Sequence, residues 1–189
     1  MQTSEILKWS SLMDELHAEL DVEDDSLERD LIDAIGRKKC LALADLKKAV
    51  LWKFSGYQAR INRVSGLISD NAAGKVREKT KVAFDRSLPD GERIRGLLGD
   101  HGGIRGVGGA LASVLLSFCE PERFGIFDYH TWNELHREGR LKNDGPSDYY
   151  AETYEDFLAA LRKIQAETGL AVRTIEKGYY FTNWLRDNL

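Results

Sequence analysis

The chain has 189 residues, 42% of them hydrophobic and 31% charged, enough to bury one sizeable core or two small lobes and too apolar for a disordered tail. Cys40 and Cys119 stand alone, without C-x-x-C spacing or a four-cysteine run, which argues against a structural zinc or an iron–sulfur cluster. The formal net charge of −4 hides an asymmetry: residues 1–35 hold two Lys/Arg against eleven Asp/Glu, residues 36–105 sixteen against seven, and residues 106–189 nine against thirteen.

Only three prolines interrupt the chain, and most apolar residues recur at three and four positions, so the fold class expected is all-α. Helices are predicted over 4–20, 26–37, 42–54, 58–69, 72–87, 91–98, 109–118, 129–138, 151–167 and 171–187. Loops are marked by Ser87-Leu88-Pro89-Asp90-Gly91, by Cys119-Glu120-Pro121-Glu122-Arg123 and by Lys142-Asn143-Asp144-Gly145-Pro146. No run of about eighteen apolar residues occurs, and MQTSEILKWSS lacks a signal peptide's basic and apolar regions. A soluble, cytoplasmic protein with no membrane partner is expected.

The third and fourth predicted helices meet at Leu51-Trp52-Lys53-Phe54-Ser55, and Tyr57, Arg60 and Arg63 then recur on one helical face. That face suits a polyanion, and it suits a solvated surface equally. The same two readings apply to the lysines of KVREKTK (75–81), although the +9 of residues 36–105 as a whole fits a duplex lying along one face.

The densest signal lies between the helices predicted over 91–98 and 109–118. Ile94, Leu97 and Leu98 sit at helical spacing before the turn, and Ala110, Leu111, Val114, Leu115 and Phe118 form a stripe after it. Between them stands Ile104-Arg105-Gly106-Val107-Gly108. Gly106 and Gly108 lack the side chains that would keep a phosphate from the backbone amides, and those amides open a helix whose dipole favours an anion. Asp128 follows eighteen residues after Ala110, inside Phe127-Asp128-Tyr129-His130.

This arrangement, carried chiefly by residues 96–132, resembles the helix-hairpin-helix DNA glycosylase superfamily, which includes endonuclease III and the adenine-mismatch and alkyladenine glycosylases. In that family a hairpin of the form L-P-G-V-G precedes an aspartate in a V-D-T-H-like sequence; here Arg105 replaces the proline. The resemblance implies a two-lobed helical fold with the helix-hairpin-helix at 91–118, a hairpin lobe of roughly residues 40–135 and a terminal lobe of roughly 1–39 and 136–189. It implies DNA-backbone contacts from Ile104, Arg105, Gly106, Val107, Gly108 and Gly109, no cofactor, room for a monovalent cation at the hairpin, and a monomer acting on double-stranded DNA that carries a damaged or modified base.

Asp128 is the catalytic candidate, because a carboxylate opposes the positive charge that develops on deoxyribose as a base departs. Aspartate is also a favoured helix N-cap, and both roles are open here. Relatives that also cut the backbone carry a lysine nucleophile where Ala110 stands, so the resemblance implies a monofunctional enzyme without lyase chemistry. An alanine packing at a helix start reads the same way in either case.

Such enzymes flip the target base out of the duplex. Trp52 and Lys53 are candidates for the pocket or the inserted wedge, and Trp52 equally fits a core with Leu46, Ala49 and Val50. Tyr129, His130 and Trp132 are candidates for the same cavity, with His130 read as a phosphate or structural contact more than as an acid or base. Arg173, Glu176, Lys177, Tyr179, Tyr180 and Trp184 mix charge and aromatics near the C-terminus, where Tyr180 and Trp184 at i, i+4 read as core. Substrates consistent with the chain are an alkylated purine or a hypermodified cytosine of phage DNA, such as glucosylated hydroxymethylcytosine, the latter implying antiviral defence. Two rivals remain: a non-catalytic helix-hairpin-helix module, and a helical adaptor in which the G-V-G turn is coincidental.

Overall fold

A computed structural model describes residues 1–20, 22–146 and 150–188, without the side chains of residues 17, 18, 20 and 22–25. It is all-helical: among the described residues there are ten α-helices and a 3-10 turn, no strand, and an isolated bridge between Leu98 and Ile104. The chain divides into two units, one of Glu23–Cys119 and one of Met1–Val22 with Glu120–Leu189.

The first unit holds α2 (Val22–Lys38), α3 (Leu43–Lys53), α4 (Gln58–Ser69), α5 (Ala73–Ala83), α6 (Asp90–Leu97) and α7 (Gly109–Cys119). The sequence GALASVLLSFC is apolar or small all round, and every residue from Gly109 to Phe118 is buried, as expected for a helix with no polar face. Around it pack α3 and α6, each burying one stripe: Leu46, Ala49 and Val50 from α3, Ile94 and Leu97 from α6. α3 is capped by Asp45, whose carboxylate accepts from the Ala42 N–H at 2.9 Å. α5 ends at Ala83, short of the expected residue 87, because the Asp85 carboxylate accepts from both the hydroxyl and the N–H of Ser87 at 2.7 and 2.9 Å and closes a turn there. Those two bonds hold the Asp85 carboxyl below the usual range.

The second unit holds α1 (Thr3–Leu20), α8 (Tyr129–Arg137), α9 (Ala151–Thr168) and α10 (Val172–Asn188), with α10 packed on the other three. Its core is aromatic. Phe127 lies 5.6 Å from Tyr154, 5.2 Å from Phe157 and 5.8 Å from Trp132, centroid to centroid. Phe124, Gly125, Ile126 and Phe127 are buried in succession, so the segment before α8 passes through this core and emerges at Asp128.

The lobe expected over residues 40–135 differs from the observed unit at both ends. α2 belongs with α3, to which Lys48–Asp30 (2.5 Å) and Lys38–Asp45 (3.1 Å) tie it. α8 belongs with α10, which it faces along its length.

Candidate nucleic-acid interface and active-site residue

α6, the 3-10 turn Gly99–His101, the loop through Gly108 and α7 form a helix–turn–helix hairpin within one unit. The loop is held by its own backbone: Ile104 N–H donates to Leu97 O, Val107 N–H to Ile104 O, and Gly99 N–H to Val107 O, at 2.9–3.0 Å. Ile104, Val107 and Gly109 are buried, whereas Arg105 and Gly108 are exposed. The Gly108 carbonyl accepts from Leu111 and Ala112 at 3.1 and 2.9 Å, so α7 begins directly after it, and the amides ahead of these, those of Gly109 and Ala110, have no preceding helical turn to bond to. Three turn carbonyls, those of Ile104, Arg105 and Val107, accept from Val107, Asn71 and Gly99.

Asn71 is the residue that sequence reasoning missed. Its side-chain oxygen accepts from the Arg105 N–H and its amide nitrogen donates to the Arg105 carbonyl, both at 2.9 Å, while the same nitrogen donates to Ile68 O at the end of α4. The loop is thereby clamped to α4, and the Arg105 guanidinium pairs with Asp70 at 2.9 Å beside it. No spacing signal links residues 71 and 105; an asparagine just past a helix end is the only hint.

The two glycines of the turn differ in kind. Gly106 has φ +89°, and a Cβ there would stand 2.9 Å from the Leu67 Cβ and 3.1 Å from the Ile68 Cγ1. Its missing side chain is therefore taken up by α4, which corrects the expectation that both glycines clear space for a phosphate. A Cβ at Gly108 would meet nothing within 4 Å. Gly108→Asp is thus the clean test: aspartate suits a helix start and leaves the melting temperature unchanged or raised, while its charge opposes a phosphate there. Duplex affinity should fall on the order of tenfold, about 1.4 kcal/mol, for every sequence alike. Fluorescence anisotropy at fixed salt measures this, and an unchanged affinity would remove the turn from the interface.

Asp128 lies in the other unit. Its backbone is extended (φ −142°, ψ 150°), and its Oδ1 accepts from the His130 N–H at 3.0 Å, capping α8. The side chain is half-buried. Behind it stands a polar cluster of α8 and α10. Asn183 accepts from Arg137 through Oδ1 at 3.3 Å, which fixes the orientation of its amide, and its nitrogen then donates to Asp187 at 2.8 Å and to His130 Nδ1 at 2.9 Å. An Nδ1 that accepts from Asn183 puts the proton of the neutral ring on Nε2. A protonated ring finds Asp187 3.2 Å from Nδ1, so Nε2 is a hydrogen-bond donor in both forms. Glu134, buried on α8, is compensated by Arg137 and by Arg186 at 3.3 Å.

The other predicted residues separate. Tyr129 is 51% exposed at the start of α8, edge-on to His130. Trp132 is 4% exposed, its ring parallel to Phe157 and its indole N–H donating to Asn143 O at 2.8 Å; it packs in the core and lines a cavity with Arg140, Lys142, Asn143, Asp156 and Lys163. Trp52 is half-buried, edge-on to Phe118 at 5.0 Å, with its indole nitrogen buried and lacking a hydrogen-bond partner. Lys53 is half-buried at the end of α3. Of the C-terminal group, Arg173 and Glu176 form a buried ion pair, Lys177 pairs with Asp14 at 2.5 Å, and Tyr180 stands edge-on to His130 at 5.2 Å. The Tyr179 hydroxyl donates to Glu138 at 2.5 Å, and burial together with that bond pushes its pKa up, which makes it a donor and not a base. Trp184 stacks on Phe181 at 5.8 Å but remains 37% exposed, so it caps the core more than it enters it.

Among the described residues no helix is long and apolar enough to cross a membrane, and no group of three or more His, Cys, Asp or Glu is placed to hold a metal ion. No protein-family model, no curated protein and no solved structure matches this chain.

Proposed function

We propose that the chain is a monofunctional DNA glycosylase, which flips a damaged or modified base from a duplex and hydrolyses its N-glycosidic bond. The observation that carries this reading is the clamped turn at 104–108, which leaves Gly108 exposed at the start of a buried helix within a strongly basic stretch. A helix start so held is preorganised for a phosphate oxygen, and phosphate contacts position a protein on DNA without reading its sequence. Asp128 and His130 supply the second half. As the bond between C1′ and the base nitrogen breaks, the base leaves with the electron pair and takes up a proton. Positive charge then builds on the sugar, the Asp128 carboxylate opposes it, and a water adds its oxygen to C1′ and gives up a proton. The His130 Nε2–H suits a flanking phosphate. The hairpin and Asp128 belong to different units, so the reading requires one duplex to engage both.

An alkylated purine and a glucosylated hydroxymethylcytosine of phage DNA are the substrate classes proposed, the second implying a role in antiviral defence. A non-catalytic helix-hairpin-helix module is the second reading, and the observation favouring it is that Asp128 Oδ1 is already engaged as a helix cap.

Ala110, buried in the first turn of α7, offers no amine. After the protein acts, the substrate strand should therefore stay intact until hot alkali breaks it at the abasic site, and borohydride should trap no protein–DNA adduct. Strand cleavage without alkali, or an adduct lost in Lys53→Ala, would overturn the monofunctional assignment, because a lysine amine can attack C1′ and form a Schiff base.

A further inference from the structure

We propose that the outer face of α4, from Tyr57 through Arg60 to Arg63, is a DNA contact selective for unpaired bases, with Tyr57 stacked on the base and the arginines on neighbouring phosphates. This rests on the reading of the chain as a DNA-engaging protein.

Tyr57 is 71% exposed, the most exposed large hydrophobic side chain among the described residues. An aromatic ring ordinarily buries 150–250 Å², so leaving one outside forfeits a large stabilisation unless a partner covers it. Its backbone is fixed. The Tyr57 N–H donates to Phe54 O, and the Tyr57 carbonyl accepts from Arg60 and Ile61, at 2.9–3.0 Å. The ring is therefore presented from a rigid helix start and not from a loose loop.

Arg60 follows by one turn, its guanidinium over the Phe54 ring at 4.4 Å, which holds it in place without neutralising it. Arg63 follows by another turn and is exposed. Residues 58–69 contain no Asp or Glu, and neither arginine has a carboxylate partner among the described residues. Of the other cations in the same unit, Arg37, Lys38, Lys48 and Arg105 each face an aspartate. Gln58 and Asn62 on the same helix are polar and bonded to each other at 2.8 Å. An apolar protein surface would leave those groups unmatched. A nucleic-acid strand matches them, because it offers flat π faces and phosphates together, and an open aromatic beside uncompensated arginines is how single strands are held.

α4 also fixes the distance to the hairpin. Tyr57 stands at one end and Asn71, which clamps Arg105, at the other, so fourteen residues of helical rise separate the two contacts by about 21 Å. At about 3.4 Å per step, roughly six base pairs span both.

The test is anisotropy of the full chain with a perfect duplex and with the same duplex carrying one extra unpaired base. The parent should bind the bulged duplex more tightly. Tyr57→Ala should lose about 5- to 150-fold on the bulged duplex, the range of one base–aromatic stack, and stay within about twofold on the perfect one. Tyr57→Phe and Tyr57→Trp should keep the preference. Arg60→Ala and Arg63→Ala should weaken both DNAs alike and each lower the salt slope by about one. A Tyr57→Ala loss that is equal on both DNAs, or absent on both, overturns the proposal. If the parent binds duplex in a manner sensitive to Gly108→Asp but shows no preference for the bulge, this proposal fails and the glycosylase reading stands. If the parent binds no DNA at salt near 0.1 M, both fail.

Discussion

Asp128→Asn should abolish base excision while leaving DNA affinity and the melting temperature near those of the parent. Asparagine caps a helix about as well as aspartate, so the bond to the His130 N–H and the geometry of α8 survive the change. Only the charge is lost, and removing one preorganised group that opposes transition-state charge costs on the order of a hundredfold or more in rate. Asp128→Ala removes cap and charge together. It should add a destabilisation of about 1 kcal/mol, which Asp128→Asn does not show. Single-turnover release of the base, with each variant's affinity measured alongside, separates the two roles. An asparagine variant as fast as the parent would reduce Asp128 to a cap and favour the non-catalytic module.

Arg173→Met should lower stability by about 3–5 kcal/mol, the cost of stranding a buried charge. Glu176 is 1% exposed and Arg173 8%, so water cannot replace the guanidinium. For a chain of this length the melting temperature should drop by roughly 6–20 °C, read by circular dichroism. Lys177→Ala, which breaks the more exposed pair with Asp14, should change stability by about 1 kcal/mol or less. Arg173→Met with Glu176→Leu should recover most of the loss, because the penalty lies in the unpaired ion and not in the absent bridge. The effect bears on the site. A Cβ at Gly125 would stand 3.2 Å from the Glu176 Cβ, so this pair packs directly against the segment that delivers Asp128. A variant within about 1 kcal/mol of the parent would show that the Glu176 carboxylate is met by other groups.

The helices were legible because their apolar residues repeat at helical spacing, as in Ile61, Val64 and Ile68 of α4. The end of α5 was not, because a local Asp85–Ser87 turn competes with a pattern that otherwise continues. Within the hairpin, the glycine spacing marked the turn, but not that Gly106 is shaped by Leu67 and Ile68, which lie on another helix far upstream. Trp132 is close to Asp128 in sequence, yet it is buried against Phe127 and Phe157. It packs inward with Leu135 at i, i+3, while Tyr129, equally spaced from it but at the first position of α8, is 51% exposed, so spacing alone does not tell which of the two is buried. Asn183 and Asp187 are visible as an i, i+4 pair, yet their partner His130 lies 53 residues from Asn183 and only the fold joins them. Pairwise contacts across such separations leave no periodic trace.

The most direct measurement is mass spectrometry of the free bases released when the parent and Asp128→Asn are incubated separately with alkylated DNA and with phage DNA carrying glucosylated hydroxymethylcytosine. The parent should release a modified base from one of these DNAs, leaving abasic sites in equal number, and Asp128→Asn should release none above background. Duplex binding by the parent without release of any base from either DNA, or equal release by both proteins, would contradict the proposed function.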